Sequence, residues 1–197
     1  LSATGPVLHF AQDRGIYAEG DDAAAFFRVV SGVVRACKFL SDGRRRIESF
    51  HAAGDIFGFE PGSRYRLSAE AVSDCTVIAY RRHGMERLAA GNAALSQQLL
   101  ACAMHDMARA QDHAMLLWRR SAAEKVAGFL LEWADQAPGA PTITLAMTRQ
   151  DIADYLGLTI ETVSRTLSQL EREAVIELVT VRQLRLRNLD ALRALSA

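Results

Sequence analysis

The run Thr148-Arg149-Gln150-Asp151-Ile152-Ala153-Asp154-Tyr155-Leu156-Gly157-Leu158-Thr159-Ile160-Glu161-Thr162-Val163-Ser164-Arg165-Thr166-Leu167-Ser168-Gln169-Leu170-Glu171 is punctuated as two short helices joined by a tight turn. Thr148 can cap the first helix, and Asp151 three residues on can answer as the acidic partner of a capping box. Ile152, Ala153 and Leu156 form its buried side. Gly157 permits the positive φ of a tight turn, and Leu158 plugs the gap between the helices. Thr159 is a second cap. On the second helix Val163, Leu167 and Leu170 share one face, while Glu161, Ser164, Arg165 and Ser168 share the other. The spacing predicts a helix-turn-helix whose second helix presents short polar groups and one arginine. Such groups suit base reading in a major groove: an arginine fork donates twice to guanine, a glutamate accepts from cytosine, and a serine hydroxyl serves either role. The plain alternative is an ordinary polar helix face turned to solvent.

Downstream, Ile176-Glu177-Leu178-Val179 and Leu184-Arg185-Leu186-Arg187 flank a turn around Arg182, the pattern of a β-hairpin wing. From there Arg182, Arg185 and Arg187 can face a phosphate backbone, or stand in solvent as ordinary hairpin arginines. Upstream, Ala122 to Ala134 keeps a helical apolar face through Val126, Phe129, Leu130 and Trp133. Pro138-Gly139-Ala140-Pro141 breaks that helix, and Ile143-Thr144-Leu145 reads as a short strand. Further upstream, residues 92–118 contain neither Gly nor Pro. Ala93, Ser96, Leu100, Ala103, Met107, Ala110, Ala114 and Leu117 fall at alternating three- and four-residue steps, a heptad seam of mostly small residues. A helix this long is expected to join two chains; the alternative is packing on its own domain.

Before residue 92 the chain changes character. Phe26 to Val30, Val33 to Leu40, Arg46 to Phe50 and Thr76 to Tyr80 are short apolar runs separated by Gly and Asp turns, which predicts a small antiparallel barrel or sandwich. Asp42-Gly43 between two such runs is a hairpin signal. Composition agrees with a globular protein: of 197 residues, 50% are apolar and 23% charged, which excludes disordered, collagen-like and disulfide-scaffold classes. No apolar run reaches the length of a membrane span, and no secretory signal opens the chain. The first residue is Leu1 rather than Met, as expected of a fragment or of the ordered part of a longer product. Cys37, Cys75 and Cys102 are odd in number and widely spaced, which fits a reduced cytoplasm and inert packing. The 23 basic residues balance the 23 acidic ones. Taken alone, that balance argues against a nucleic-acid binder, although the mixed charges of the polar helix face are local and independent of it.

The quoted segments resemble the CRP/FNR superfamily of bacterial transcription regulators, in particular its FixK branch. Thr148-Arg149-Gln150-Asp151-Ile152-Ala153 and Glu161-Thr162-Val163-Ser164-Arg165, with the wing behind them, carry the C-terminal likeness. Ile16-Tyr17-Ala18-Glu19-Gly20-Asp21, Val30-Ser31-Gly32-Val33-Val34-Arg35, Ser41-Asp42-Gly43-Arg44-Arg45 and Gly54-Asp55-Ile56-Phe57-Gly58 carry the N-terminal one. The resemblance implies an α+β fold. A double-stranded β-helix (β-roll) over residues 1–91 is followed by a dimerisation helix over 92–118 and a winged helix-turn-helix over 119–197. It implies that Glu161, Ser164 and Arg165 read a TTGA-type inverted repeat. Thr148, Arg149, Gln150 and Thr162 would hold phosphates, joined by Thr159, Ser168 and Arg182. The expected dimer seam is Leu100, Ala103, Met107, Ala110, Ala114 and Leu117.

By the same resemblance the partners are palindromic double-stranded DNA, a second copy of the chain and RNA polymerase, with no membrane, and the compartment is the cytoplasm. The family's cyclic-AMP subgroup places an Arg-Ser pair shortly after the Gly-acidic turn to neutralise the cyclic phosphate. Here Tyr65-Arg66 stands at that offset, which counts against cyclic-nucleotide control. No iron–sulfur cysteine cluster occurs within residues 1–197, and His9, His51, His83, His105 and His113 are isolated, so these residues lead to no expected cofactor or metal. The alternative is an effector-controlled member whose β-roll takes a small anion or a cofactor, with Arg64 or Arg66 as the cation. An enzyme is not expected: His51, Asp55 and Glu60 are near one another in sequence, but nothing sets a nucleophile beside an orienting partner and an oxyanion donor.

Overall fold

The computed structural model of the chain describes residues 5–136 and 142–196. Its first half is built of β1 (Val7–Phe10), β2 (Gly15–Tyr17), β3 (Ala25–Ser31), β4 (Val34–Phe39), β5 (Arg45–His51), β6 (Ile56–Phe57), β7 (Ser68–Ala71) and β8 (Cys75–Arg81). They pair antiparallel in two sheets, ordered β1-β8-β3-β6 and β2-β7-β4-β5. Side-chain alternation explains why two sheets share one core. Phe27 and Val29 of β3, Val77 and Ala79 of β8, Val34 of β4, and Ala69 and Ala71 of β7 all turn inward, with Tyr65 among them. The intervening positions Phe26, Ile56 and Tyr80 face the other way. There Met85 of α1 (Arg82–Ala90) and Leu95, Leu99 and Cys102 of α2 (Ala93–Trp118) cover them. The expected hairpin at Asp42-Gly43 joins β4 to β5 in the register Phe39↔Arg45, and Gly43 adopts φ +81°. At Gly32, φ is +84° and a Cβ would lie 2.4 Å from the Asp74 carbonyl oxygen, so no other residue fits that crossing.

The second half begins with α3 (Ala122–Asp135), capped by Ser121, whose hydroxyl accepts from the Glu124 amide at 3.1 Å. Its buried face is the one anticipated: Val126, Phe129, Leu130 and Trp133, with Ala127. β9 (Thr142–Thr144), α4 (Arg149–Leu156), α5 (Ile160–Arg172), β10 (Ile176–Leu178), β11 (Gln183–Leu186) and α6 (Leu189–Ser196) follow. The three strands pair in the order β10-β11-β9. The break anticipated at Pro138-Gly139-Ala140-Pro141 lies outside the described residues. The helices α1 and α6 and the short strands β1, β2, β6 and β7 are additions to the sequence reading.

The chain divides into two compact units, and the cut falls between Gln111 and Asp112, inside α2. The helix runs unbroken over 26 residues, so its earlier turns belong with the roll and its last two with the helix-turn-helix. Among the described residues no helix is long and apolar enough to cross a membrane.

Candidate nucleic-acid interface

Hydrogen bonding fixes the helix-turn-helix locally before any packing acts. Thr148 accepts from the Asp151 amide at 3.1 Å, and the Asp151 carboxylate accepts from the Thr148 amide at 2.9 Å and hydroxyl at 2.8 Å, a reciprocal capping box at the start of α4. At its end Gly157 adopts φ +65°, and the amides of Gly157 and Leu158 both donate to the Ala153 carbonyl. Thr159 caps α5 by accepting from the Thr162 amide at 3.2 Å, and the two hydroxyls lie 3.0 Å apart. Val163, Thr166, Leu167 and Leu170 of α5 are buried beneath this frame.

The opposite face of α5 is open. Glu161, Ser164, Arg165 and Ser168 are all exposed and share one side of the helix, as their spacing predicts. Arg165 lies close enough to Glu161 to lower that carboxyl's pKa, behind a larger effect from hydrogen bonding at the helix N-terminus. The face therefore carries a full anion and a full cation at neutral pH, one turn apart.

The candidate phosphate-holding residues fall into two groups. Thr148, Thr159 and Thr162 serve the caps, and Gln150 donates from Nε2 to Asp154 Oδ1 at 2.7 Å, so these four line the two helix N-termini. Helix N-termini are favourable places for phosphate oxygens. Arg149 is different: it is half-buried, burial pulls its guanidinium pKa below the usual value, and no described carboxylate pairs with it. A desolvated, unpaired cation at a helix start favours an incoming anion.

In the wing, β10 and β11 pair in the register Glu177↔Arg185. Glu177 takes Arg185 at 3.0 Å and Arg187 at 2.5 Å. This separates the three arginines that the sequence groups together. Arg182 stands exposed at the tip without an ion pair among the described residues, while the other two are neutralised. The tip is tied by Thr180, whose hydroxyl accepts from the amides of Arg182 and Gln183, and it projects Val181 at 80% exposure. Glu171, near the end of α5, accepts from the Leu178 amide at 3.0 Å and fastens the wing to the helix. The roles of Glu171 and Glu177 have no signature in the sequence, because each depends on a partner across a turn.

The exposed side of α2 carries an apolar stripe among polar residues such as Gln97 and Gln111. Leu100, Met107 and Leu117 of the expected seam are exposed, as are Ala110 and Ala114, with Ala103 half-buried. Met104, Met115 and Trp118, the last 84% exposed, extend the same surface.

Inside the roll, the residues at the offset of a phosphate-binding pair are engaged. Tyr65 stacks on Tyr17 with centroids 3.6 Å apart, and its hydroxyl donates to the Ala25 carbonyl at 2.6 Å. Arg66 pairs with Glu60 at 2.7 Å, and Arg64 donates to the Gly20 carbonyl at 2.7 Å. Burial pushes the Cys37 thiol up to about 12, in keeping with an inert cysteine. Among the described residues no group of three His, Cys, Asp or Glu side chains could hold a metal ion.

Comparison with known proteins bears on both halves. Residues 7–92 match the cyclic nucleotide-binding domain family, and residues 124–195 match the Crp-like helix-turn-helix domain family. The nitrogen fixation regulation protein FixK of Azorhizobium caulinodans is 45% identical over 202 residues, covering 100% of this chain and 82% of that protein. FixK of Rhizobium meliloti is 41% identical over 189 residues, covering 96% and 86%. The solved structure of FixK2 from Bradyrhizobium japonicum superposes with a TM-score of 0.94 at 42% identity, over 99% of this chain and 98% of that one. These relatives are regulators rather than enzymes. With both domain families present in order and FixK proteins aligned along the whole chain, the protein belongs to the FixK-type transcription regulators of the CRP/FNR family.

Proposed function

We propose that the protein binds a TTGA-type inverted repeat as a homodimer in the cytoplasm and regulates transcription by contacting RNA polymerase, without cyclic AMP. In this reading, residues 92–118 are the dimerisation segment between a roll over 1–91 and a DNA-binding domain over 119–197. The observation that carries it is the open Glu161, Ser164, Arg165 face on a helix whose caps and inner side are fully engaged. A guanine takes both donors of an arginine fork, its paired cytosine donates to a glutamate, and TTGA holds one such pair. The apolar side of α2 supports pairing with a second copy, which would bring two recognition helices to two half-sites. The names of the FixK relatives make promoters of nitrogen-fixation genes the first operators to try.

The test is binding of the purified chain to a TTGA inverted repeat and to a scrambled duplex at one stated salt concentration, with the mass of the complex determined by sedimentation. Two chains per repeat and a preference of at least about a thousandfold are expected. Equal affinity for both duplexes, or one chain per repeat, would refute the reading.

A further inference from the structure

His113 lies in the last two turns of α2, and neither base reading nor phosphate holding uses it. It is buried, its ring lies parallel to that of Tyr155 with centroids 3.9 Å apart and an interplanar angle of 0°, and Nε2 sits 2.9 Å from the Tyr155 carbonyl oxygen. A carbonyl only accepts, so Nε2 carries the hydrogen. Tyr155 is in the final turn of α4, where the helix ends and carbonyls lose their intrahelical donors. Two neighbouring helices supply donors there: His113 to Tyr155, and Lys125 of α3 to the Leu156 carbonyl at 3.4 Å. The Tyr155 hydroxyl in turn donates to Glu132 of α3 at 3.1 Å. Tyr155 is thus gripped on its ring face and carbonyl by α2 and at its hydroxyl by α3. After Leu156, the turn Gly157-Leu158 and the cap Thr159 lead directly into α5.

We propose that His113 is a positioning residue that sets the angle of the helix-turn-helix on the last turns of α2, and thereby the half-site spacing the protein accepts. This rests on the reading of the protein as a dimer on an inverted repeat. Exposed Ala114 and Trp118 stand on the same turns of the helix, and Leu117 lies one turn on from His113 at the edge of its face, so the grip borders the surface assigned to the partner copy. The geometry is sensitive. A tilt of roughly 10° over the roughly 20 Å length of a 13-residue helix moves its end by about 3.5 Å, which is about one base-pair step. A parallel ring stack combined with a directed hydrogen bond restricts that tilt in a way that apolar packing alone would not.

The experiment measures full-length wild type, His113→Ala and His113→Phe on inverted repeats whose spacer is varied by one and two base pairs either way, and on a duplex with a single half-site. Wild type is expected to favour one spacer by about tenfold over its neighbours. His113→Ala should flatten that profile to about twofold while single half-site affinity stays unchanged. His113→Phe keeps the stack and loses the donor, so it should fall between them; it also carries the test if the alanine variant does not fold. A wild-type spacer profile in both variants overturns the proposal, as does an equal loss on every duplex including the half-site. A wild type that binds no repeat better than scrambled DNA overturns the dimer reading itself, and this proposal with it.

Discussion

Arg165 and Arg149 are both cations of the helix-turn-helix, and the proposed function gives them opposite work. Arg165 is exposed beside Ser164 on the face it shares with Glu161, where a guanidinium can reach both acceptors of a guanine. Its replacement by Ala should cost ~1–3 kcal/mol on the cognate duplex and narrow the gap to a scrambled one. Arg149 is half-buried, desolvated and unpaired. Arg149→Ala should weaken both duplexes alike and reduce the salt slope by about one unit. A salt series on both duplexes separates the two; equal losses for Arg165→Ala would make it a phosphate contact. A second pair of residues opposes through pH. His51 is buried, its Nδ1 has no partner among the described residues, and burial, with Arg109 second, lowers its pKa from 6.5 to about 4. Burial raises the Asp106 carboxyl from 3.8 to about 6, with Arg109 and His105 pulling down and Asp55 and Glu48 adding to the rise. For His51 the unfolded chain takes the proton first, so stability falls as pH drops from 6.5 towards 4. For Asp106 the folded chain keeps a proton that the unfolded chain has released, so stability falls as pH rises from about 4 to 6 and stays lower above. The slopes offset each other. Asp106→Asn should therefore be more stable than wild type in urea at about pH 7.5 and lose that advantage on acidification to about pH 4.5. A constant difference between the two curves would sink the assignment.

On the scale of elements, α2 carries two faces. Leu95, Leu99 and Cys102 pack on the roll, His113 and Leu116 are buried further along, and the opposite side from Leu100 to Trp118 is open and mostly apolar, interrupted by Gln111. Met107 is 49% exposed near the middle of that open side. Met107→Glu would set like charges against each other across a two-chain seam and yield monomers whose operator binding fails along with dimerisation. An unchanged dimer in sedimentation would remove this face from the contact. The sequence shows α2 because its heptads persist for more than three repeats, yet a pattern that weighs alanine equally with methionine misses Met104, Met115 and Trp118. Strands β3, β4, β5 and β8 are legible as apolar runs ended by turns. In contrast, β1 is an exposed edge strand and β6 only two residues long, so neither has a pattern to read. Helix α1 hides behind its Gly84 and a single buried residue, Met85. α6 follows so soon after the wing that Leu189 and Leu192 read as more of the hairpin. The capping box, the Gly157 turn and the open α5 face were legible because each is written within one or two helical turns of sequence. The Glu177 brace and the His113 grip were not, since they join residues 8 and 42 apart.

The whole molecule poses the question of control, because a chain that matches cyclic nucleotide-binding domains over residues 7–92 carries Tyr65-Arg66 at the offset where the resemblance implies a phosphate-binding Arg-Ser pair. Tyr65 is stacked on Tyr17, bonded to the Ala25 carbonyl and set in the same core as Phe27 and Phe57. Exposing a large buried side chain costs about 1.5–3 kcal/mol. A cyclic phosphate would also need a cation, and both nearby candidates are committed. Arg66 lies on Glu60, whose own side chain is 8% exposed and would lose its counter-charge, and Arg64 bonds the Gly20 backbone. Cyclic AMP is therefore expected to leave both melting temperature and operator affinity unchanged. The comparison is a sensitive one. A ligand bound to the native state at 100 times its dissociation constant adds ~2.7 kcal/mol, which for a chain of this size raises the melting temperature by roughly 5–10 °C. A rise of that size with cyclic AMP, or a tightening on the inverted repeat, would mean that Tyr65 swings out of the core on binding. Control would then run through the roll after all.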